Sequence, residues 1–324
     1  MHMRFITLCL TAAVALVAAL PAARAEDYPS KPIRFIVPFS AGGQLDYVAR
    51  LVAQPMSENL KQNVIVENVS GGGGNIGGMK AANAAPDGYT VLEYGGNFPI
   101  AKHLAPDLAY DPIGGFELIS GISISPHVVL VADKLPIHDL RELAAYGKAH
   151  PGVLNYGSPG IGSSMNLTFE VIKQHFGIDA IHVPYRGGSN VLNDLAGGQI
   201  SVGVVAVAPA MAMIKAGKIR AIAVTSIERV AALPDVATVA ESGFPGYSSG
   251  SWAGLAVPKG TPKAVVDRLN QAVRAAVAQD RVRQDLLTQS FTPIAGTPEE
   301  LAARVRAESD SYGPLIKQLG LHAE

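Results

Sequence analysis

The stretch Ile33–Asp46, IRFIVPFSAGGQLD, constrains the fold more than any other part of the chain. Ile33, Phe35, Ile36 and Val37 make a short apolar run of β-formers, which reads as a buried strand. Pro38 stops it. Phe39 and Ser40 lead into Ala41-Gly42-Gly43, where the backbone can approach a neighbour with little side-chain bulk in the way. Beyond the loop, Leu45, Val48, Ala49, Val52, Met56 and Leu60 recur at helical spacing. Strand, glycine loop and helix in that order open a parallel α/β layer. The first N–H groups of such a helix point out of the sheet's C-terminal edge, a geometry that favours an anion. The same residues also suit an ordinary tight βα turn.

The first 25 residues have the form of a secretory signal. Arg4 precedes an apolar run from Phe5 to Leu20, Pro21 breaks it, and Ala23-Arg24-Ala25 fits a small-x-small cleavage rule. The run is short for a transmembrane anchor. The single cysteine, Cys9, lies inside it, too early to be a lipoprotein cysteine, so the mature chain has no thiol and no disulfide. Cleavage after Ala25 removes two of the 26 basic residues and leaves 24 against 27 acidic ones, a net charge of −3. That balance points to neither nucleic acid nor a membrane surface. The length suggests about two domains, and few aromatics (6%) with plentiful Gly and Ala suit close-packed α/β layers.

Taken in order, residues 26–100 read as a βαβαβ unit with strands at 33–37, 64–67 and 90–94. Pro55 should kink its first helix or end the regular part. Phe98–Gly115 reads as irregular. Strand patterns return at Ile119–Ser125 and His127–Val131, then alternate with helices to Val224, which again means parallel sheet. From Tyr247 the chain turns through SSGSW into a strand over Trp252–Val257. Terminal helices follow, the last begun by Thr297 as N-cap and Pro298. This final segment is expected to return to the first domain.

Gly72-x-Gly74-x-x-Gly77 lies between a strand and a helix, with Glu93 where a ribose-binding acid would sit. A secreted chain is a poor place for a nicotinamide cofactor, so these glycines read as a loop packing a helix start close to the sheet, and no cofactor is expected. A serine hydrolase is the rival from another class. Gly162-Ser163-Ser164-Met165-Asn166 lacks the final Gly of a nucleophile elbow, and the scattered histidines show no pair at metal-ligand spacing. His182 is the one expected to be partly buried. What remains is a set of loops at strand C-terminal ends, where open α/β sheets bind ligands. They are Ser40–Asp46; Tyr94, Gly95 and Asn97; Ser158, Gly160, Gly162, Ser163, Ser164 and Asn166; and Tyr185, Arg186 and Gly187. Two such edges facing across a cleft would be rich in N–H and hydroxyl donors and would want an anion. Arg186 is the cation placed in them, or else a solvated side chain. Ser163 and Ser164 could equally cap the following helix.

Ordered blocks over the whole mature chain resemble the substrate-binding proteins of tripartite tricarboxylate transporters, the Bug proteins. They include YPSKPIRFIVPFSAGGQLDYVARLVA, VENVSGGGGNIGG, APDGYTVL, YGSPGIGSSMNL, VPYRGGSNVLNDLAGGQI, IKAGKIRAIAVTS, LPDVATVAESGFPGY and GTPKAVVDRLN. The resemblance implies a monomeric periplasmic binding protein with a type II-like, Venus-flytrap α/β fold, each domain a mostly parallel sheet flanked by helices. It implies domains at 26–124 plus 248–324 and at 125–247, with hinges near Gly121–Ser125 and Tyr247–Ser251. It also implies a small carboxylate held between loops Ser40–Asp46 and Ser158–Ser164, largely through backbone groups, and delivered to a membrane permease. A sensor that reports to a membrane receptor would share this fold. Two departures stand out. Asn166 replaces a His that many members carry, and Ser201 and Val205 stand where members often have acids. Without those acids an ammonium group loses its partner. The expectation is therefore a di- or tricarboxylate, or an aromatic carboxylate, without an α-amino group, against an apolar wall of Val205, Val207 and Trp252.

Overall fold

The computed structural model describes residues 28–39, 41–185 and 187–322. The expected signal segment with Cys9 and Ala25, and the candidate site residues Ser40 and Arg186, lie outside the described residues. In the first lobe, β1 (Ile33–Val37) runs parallel between β2 (Val64–Asn68) and β3 (Thr90–Gly95), with Ile33 opposite Val64 and Arg34 opposite Thr90. In the second, β5 (Asn155–Ser158) lies parallel between β6 (Ile181–Pro184) and β7 (Val202–Ala206).

Two long strands join the lobes and run antiparallel to their neighbours. Residues 116–126 of β4 (Phe116–Ala132) pair with β9 (Gly250–Pro258), which itself pairs with β3. Residues 127–132 pair instead with β7 and β8 (Ile219–Val224). The two-residue β10 (Thr292–Pro293) adds to β4 on the first-lobe side. Each sheet is therefore mixed, with parallel strands on one side and antiparallel pairing at β4 and β9 in the first and at β4 in the second. The mostly parallel expectation came from counting strand–helix alternation, which cannot see a strand that serves both lobes.

Helices cover both faces. Helices α1 (Gln44–Leu60) and α8 (Lys263–Ala278) close over Phe35, Val37, Leu255, Leu269 and Val273. On the opposite face, α2 (Asn75–Ala82), α3 (Asn97–Leu104) and α10 (Pro298–Leu319) enclose Ile36, Leu92, Tyr94, Phe98, Trp252 and Leu301. The chain's last helix thus packs against β1 and β3. In the second lobe the period of two on β4 sends Val129 and Val131 toward α4 (Leu140–Ala149) and α5 (Ser164–Phe176). It sends Val128 and Leu130 toward α6 (Gly188–Ala196) and α7 (Val207–Lys215). Helix α9 (Asp280–Thr288) completes the set. No helix among the described residues is long and apolar enough to cross a membrane.

Three local expectations change. The passage read as irregular contains α3, whose Phe98, Ala101 and Leu104 are buried at helical spacing while Pro99 stands in its first turn. The two strands expected on either side of Pro126 are one. Pro126 sits where β4 changes partner, so its missing N–H falls at the break between two ladders. Helix α1 continues five residues past Pro55 to a left-handed cap at Lys61, held there by the buried face of Val52, Met56 and Leu60.

Candidate ligand-binding site

The loop after β1 is organised from inside by Asp46, at the third position of α1. Its Oδ2 accepts the Gly42 amide at 2.9 Å and Arg50 Nε at 3.0 Å. Its Oδ1 accepts Asn68 Nδ2 at 2.9 Å and lies 2.9 Å from Arg50 Nη2. The Asn68 amide also donates to Phe39 O at 3.0 Å, tying the end of β2 to the loop. The Arg50 guanidinium above all, with the Gly42 and Asn68 donors, outweighs burial and holds the Asp46 carboxyl down at about 2. Asp46 was expected to touch ligand; its lone pairs instead point back into its own loop. Gly43, the N-cap of α1, offers no side-chain cap, and a helix start without one suits an anion's oxygens.

The loop after β5 repeats this construction. Asn166, third in α5, accepts the Gly162 amide at 2.9 Å, four residues back as in Asp46–Gly42. Gly42 has φ +79° and Gly162 φ +71°, the left-handed conformation that turns each amide inward. Asn166 is buried and donates through Nδ2 to Tyr156 OH at 2.6 Å, and the phenol donates to Glu170. Desolvation first, then Glu170, pushes the Tyr156 hydroxyl far above its ordinary value. Asn166 is thus a loop organiser. Only an acceptor at this position can hold the Gly162 amide.

Other loop hydroxyls are also spoken for. Ser163 Oγ donates to Gly160 O at 2.8 Å and accepts Asn166 N at 3.2 Å, capping α5. Ser158 is fully buried, 2.8 Å from His182 Nε2 and 3.2 Å from Gly160 O. With its hydrogen on Gly160 O, Ser158 accepts from His182, which makes the imidazole a donor there and not a base. Burial lowers the His182 pKa and the ring stacks on Tyr156 at 4.6 Å. Tyr185 donates its hydroxyl to Asp194 at 2.8 Å, and its amide holds Ser158 O at 2.9 Å. Gly187 is extended, at the N-cap of α6.

Three candidates belong to the core. Tyr94 is fully buried, stacked 4.7 Å from Phe98 with its hydroxyl on Pro112 O. Trp252 packs beside it and donates Nε1 to Glu308 Oε1 at 2.6 Å. Burial, against the Trp252 hydrogen bond, raises Glu308 to about 7. Val205 and Val207 pack under α6 and α7, so the expected apolar wall is part of the second-lobe core. The strand pattern located these residues correctly but could not say which face looks into the cleft. Glu93, the conjectured ribose acid, is fully buried as well.

The rest of the first-lobe edge converges on the same place. Asn97 Nδ2 donates to Gly73 O at 3.2 Å, and Gly74 lies against Asn97 and Phe39. The glycine run thus packs helix α2 close: a Cβ at Gly77 would meet Pro38 and Val69 O at 2.8 Å. Gly95 lies under Trp252 O. The lobes meet through α3, whose Leu104 side chain fills the space where Gly162 has no Cβ. Ile100, Leu104, Leu167, Leu315 and Ile316 form one buried cluster from both lobes.

Sequence reasoning missed a second bridge. His127 is fully buried where β4 changes partner; its Nδ1 lies 3.0 Å from Thr168 Oγ1 and its Nε2 2.9 Å from Ser251 Oγ. Burial drives its pKa down to about 3, so the ring is neutral. The seven scattered histidines of the mature chain gave no spacing signal, and the alternation that favoured His182 overlooked a His following a mid-strand Pro. The clasps were findable: Gly-Gly-Gln-Leu-Asp and Gly-Ser-Ser-Met-Asn place a polar acceptor four residues after a glycine in both loops. Among the described residues, no group of three or more His, Cys, Asp or Glu could hold a metal. Two surface cavities, of about 330 and 500 Å³, lie away from these loops beside β10 and share Ala295.

The family model described as "Tripartite tricarboxylate transporter family receptor" matches residues 48–321. The chain is 35% identical over 315 residues to a UPF0065 protein of Bordetella pertussis, covering 97% of each. Two solved Rhodopseudomonas palustris proteins are similar in structure. Rpa4515 with adipate is 32% identical at TM-score 0.81, covering 91% of this chain and 99% of that one. MatC with bound malate is 32% identical at TM-score 0.76, covering 89% and 100%.

Proposed function

Since this chain belongs to the tripartite tricarboxylate transporter receptor family, a family of binding proteins and not of enzymes, we propose that it captures a small organic carboxylate between its lobes and delivers it to the membrane subunits of such a transporter. The observation that carries this reading is the repeated clasp. In each lobe a helix starts at the sheet's C-terminal edge, behind a glycine loop drawn inward by Asp46 or Asn166. Two such helix starts suit the two ends of a dicarboxylate or the oxygens of one carboxylate. The contacts fall to Ser40–Gly43 in one lobe and Gly160–Ser164 in the other, with Asn97 beside the first. Gly187, at the N-cap of α6, completes the rim, and Arg186, next to it in sequence, is the cation assigned to the ligand.

The binding unit follows the division 26–124 plus 248–324 and 125–247, closing about β4 and β9. Support comes from the switch of β4 partners after Pro126. The mature protein acts as a periplasmic monomer, released by cleavage after Ala25. The ligand lacks an α-amino group: Asp46, the one acid in the four loops, is already matched by Arg50.

A thermal-shift screen of the mature protein against citrate, malate, succinate, adipate, phthalate, benzoate, aspartate and glutamate tests this. A ligand at 100 times its Kd adds about 2.7 kcal/mol to the folded state. Shifts with malate or adipate class acids are the expected result. Preference for aspartate over succinate would remove the amino-group argument, and no shift with any acid, even after unfolding and refolding to strip bound ligand, would remove the carboxylate reading.

A further inference from the structure

The contacts of His127 belong to a longer chain of hydroxyl groups. Ser249 Oγ lies 3.4 Å from Tyr312 OH and 2.5 Å from Thr168 Oγ1. Thr168 meets Nδ1 of His127, Nε2 meets Ser251 Oγ, and Ser251 lies 3.0 Å from Ser164 Oγ. The chain runs from α10, through the strand crossing, to the first residue of α5 on the candidate ligand loop. Of the three serines in the loop after β5, Ser164 is the one whose hydrogen no carbonyl accepts; the acceptor it meets besides Ser251 is the thioether of Met165 at 3.6 Å, a weak one.

A neutral imidazole has one N–H and one lone pair, so it allows the chain only two directions. With the hydrogen on Nδ1, Thr168 must donate to Ser249, Ser251 to Nε2 and Ser164 to Ser251. Ser164 then turns only lone pairs outward, which repel a carboxylate, and the Ser249 hydrogen is left with Tyr312 OH as its remaining neighbour. With the hydrogen on Nε2, Tyr312 donates to Ser249, Ser249 to Thr168 and Thr168 to Nδ1. Nε2–H donates to Ser251, Ser251 donates to Ser164, and the Ser164 hydrogen is left for the ligand. Every group in this second arrangement has its partner, and each hydrogen bond polarises the next in the same sense.

We propose that His127, in its Nε2–H form, is a positioning residue that orients this relay so that Ser164 presents its hydrogen to a ligand carboxylate. The assignment rests on the carboxylate reading above and gives that loop a side-chain donor selected from the hinge. The relay also couples binding to the lobe crossing, because Ser251 and His127 sit on the two strands that join the lobes.

The test uses the mature protein labelled with ¹⁵N-histidine, with malate and adipate as probes. The nitrogen spectrum of His127 is read without and with each acid, and affinities are measured by calorimetry for wild type, His127→Asn, His127→Gln and Ser164→Ala. The expected spectrum shows the Nε2–H form. S164A and H127N should each weaken binding about tenfold, the factor for one hydrogen bond to a charged partner, and the double variant should lose no more than either alone. H127Q, whose amide nitrogen can reach Ser251, should retain most of the affinity. An Nδ1–H spectrum, or wild-type affinity in H127N, overturns the relay while leaving the carboxylate reading intact. Failure of wild type to bind any carboxylate removes both. Should H127N not fold, the wild-type spectrum decides alone.

Discussion

Both oxygens of Glu93 are buried without a hydrogen-bond partner among the described residues. The side chain lies on the α1-facing side of β3, next to Val91 and across from Leu255 of the apolar core. Desolvation, and then the charge of Asp46, raise its pKa well above the ordinary value. The folded state therefore binds the proton more tightly than the unfolded one. Stability is greatest below the unfolded pKa of about 4.5 and falls as pH rises toward the folded value. Glu93→Met should raise stability by about 1–3 kcal/mol at neutral pH, with a gain that shrinks toward pH 4; urea unfolding across pH measures both. Glu308 has the same sign, from its ordinary range up to about 7. Glu308→Gln keeps an acceptor for Trp252 and should flatten the loss of stability between pH 5 and 7.

Asn166 is different in kind, because two neighbours depend on it. Asn166→Ala leaves the Gly162 amide and the Tyr156 hydroxyl short of a partner. It should cost about 1–3 kcal/mol of stability and release the loop, so that affinity for the carboxylate falls more than tenfold.

At the scale of elements, the two loop glycines make a controlled comparison. Both have positive φ, but a Cβ on Gly42 meets nothing within 4 Å, whereas one on Gly162 would lie 2.1 Å from Leu104 Cδ1. Gly42→Ala should cost only backbone strain, about 1 kcal/mol. Gly162→Ala must in addition displace the Leu104 side chain from its place between the lobes, and should show the larger loss of ligand affinity in calorimetry. Helix α10 begins with a full capping box: Thr297 accepts Glu300 N at 3.2 Å, and Glu300 accepts Thr297 N at 2.8 Å. Thr297→Ala should lower stability by about 1 kcal/mol while leaving affinity unchanged, since the cap lies at the far end of α10 from Tyr312.

At the scale of the whole molecule, the proposed closure predicts that apolar contact between lobes sets how often the cleft is closed. Leu104 lies with Leu167 and Leu315 in a cluster that neither lobe completes alone. Leu104→Ala weakens that contact and should shift the population toward open forms. Small-angle scattering should show a larger radius of gyration without ligand, and apparent affinity should fall in proportion to the lost closed fraction. Unchanged scattering and affinity would mean that β4 and β9 alone hold the lobes.

Local order was legible in the sequence. Apolar runs, helical spacing and turn residues placed β1, α1, β8 and the Thr297 cap to within a residue or two, because these depend on neighbours along the chain. The loops at strand ends were legible too, as was the family, from its ordered blocks. Facing was not. Tyr94, Val205 and Trp252 lie on strands or at their ends, yet which side of a sheet looks into a cleft depends on how helices far away in sequence cover it. Nor was partnership legible. Asn166 reaches Tyr156, His127 joins Thr168 to Ser251, and Leu104 fills the gap at Gly162 only because the chain crosses between lobes twice, at β4 and β9. The sequence by itself determined the elements and the chemistry at their ends. The tertiary structure decided which of those groups are consumed in holding the loops, since a hydrogen bond depends on distance in space and not on separation along the chain.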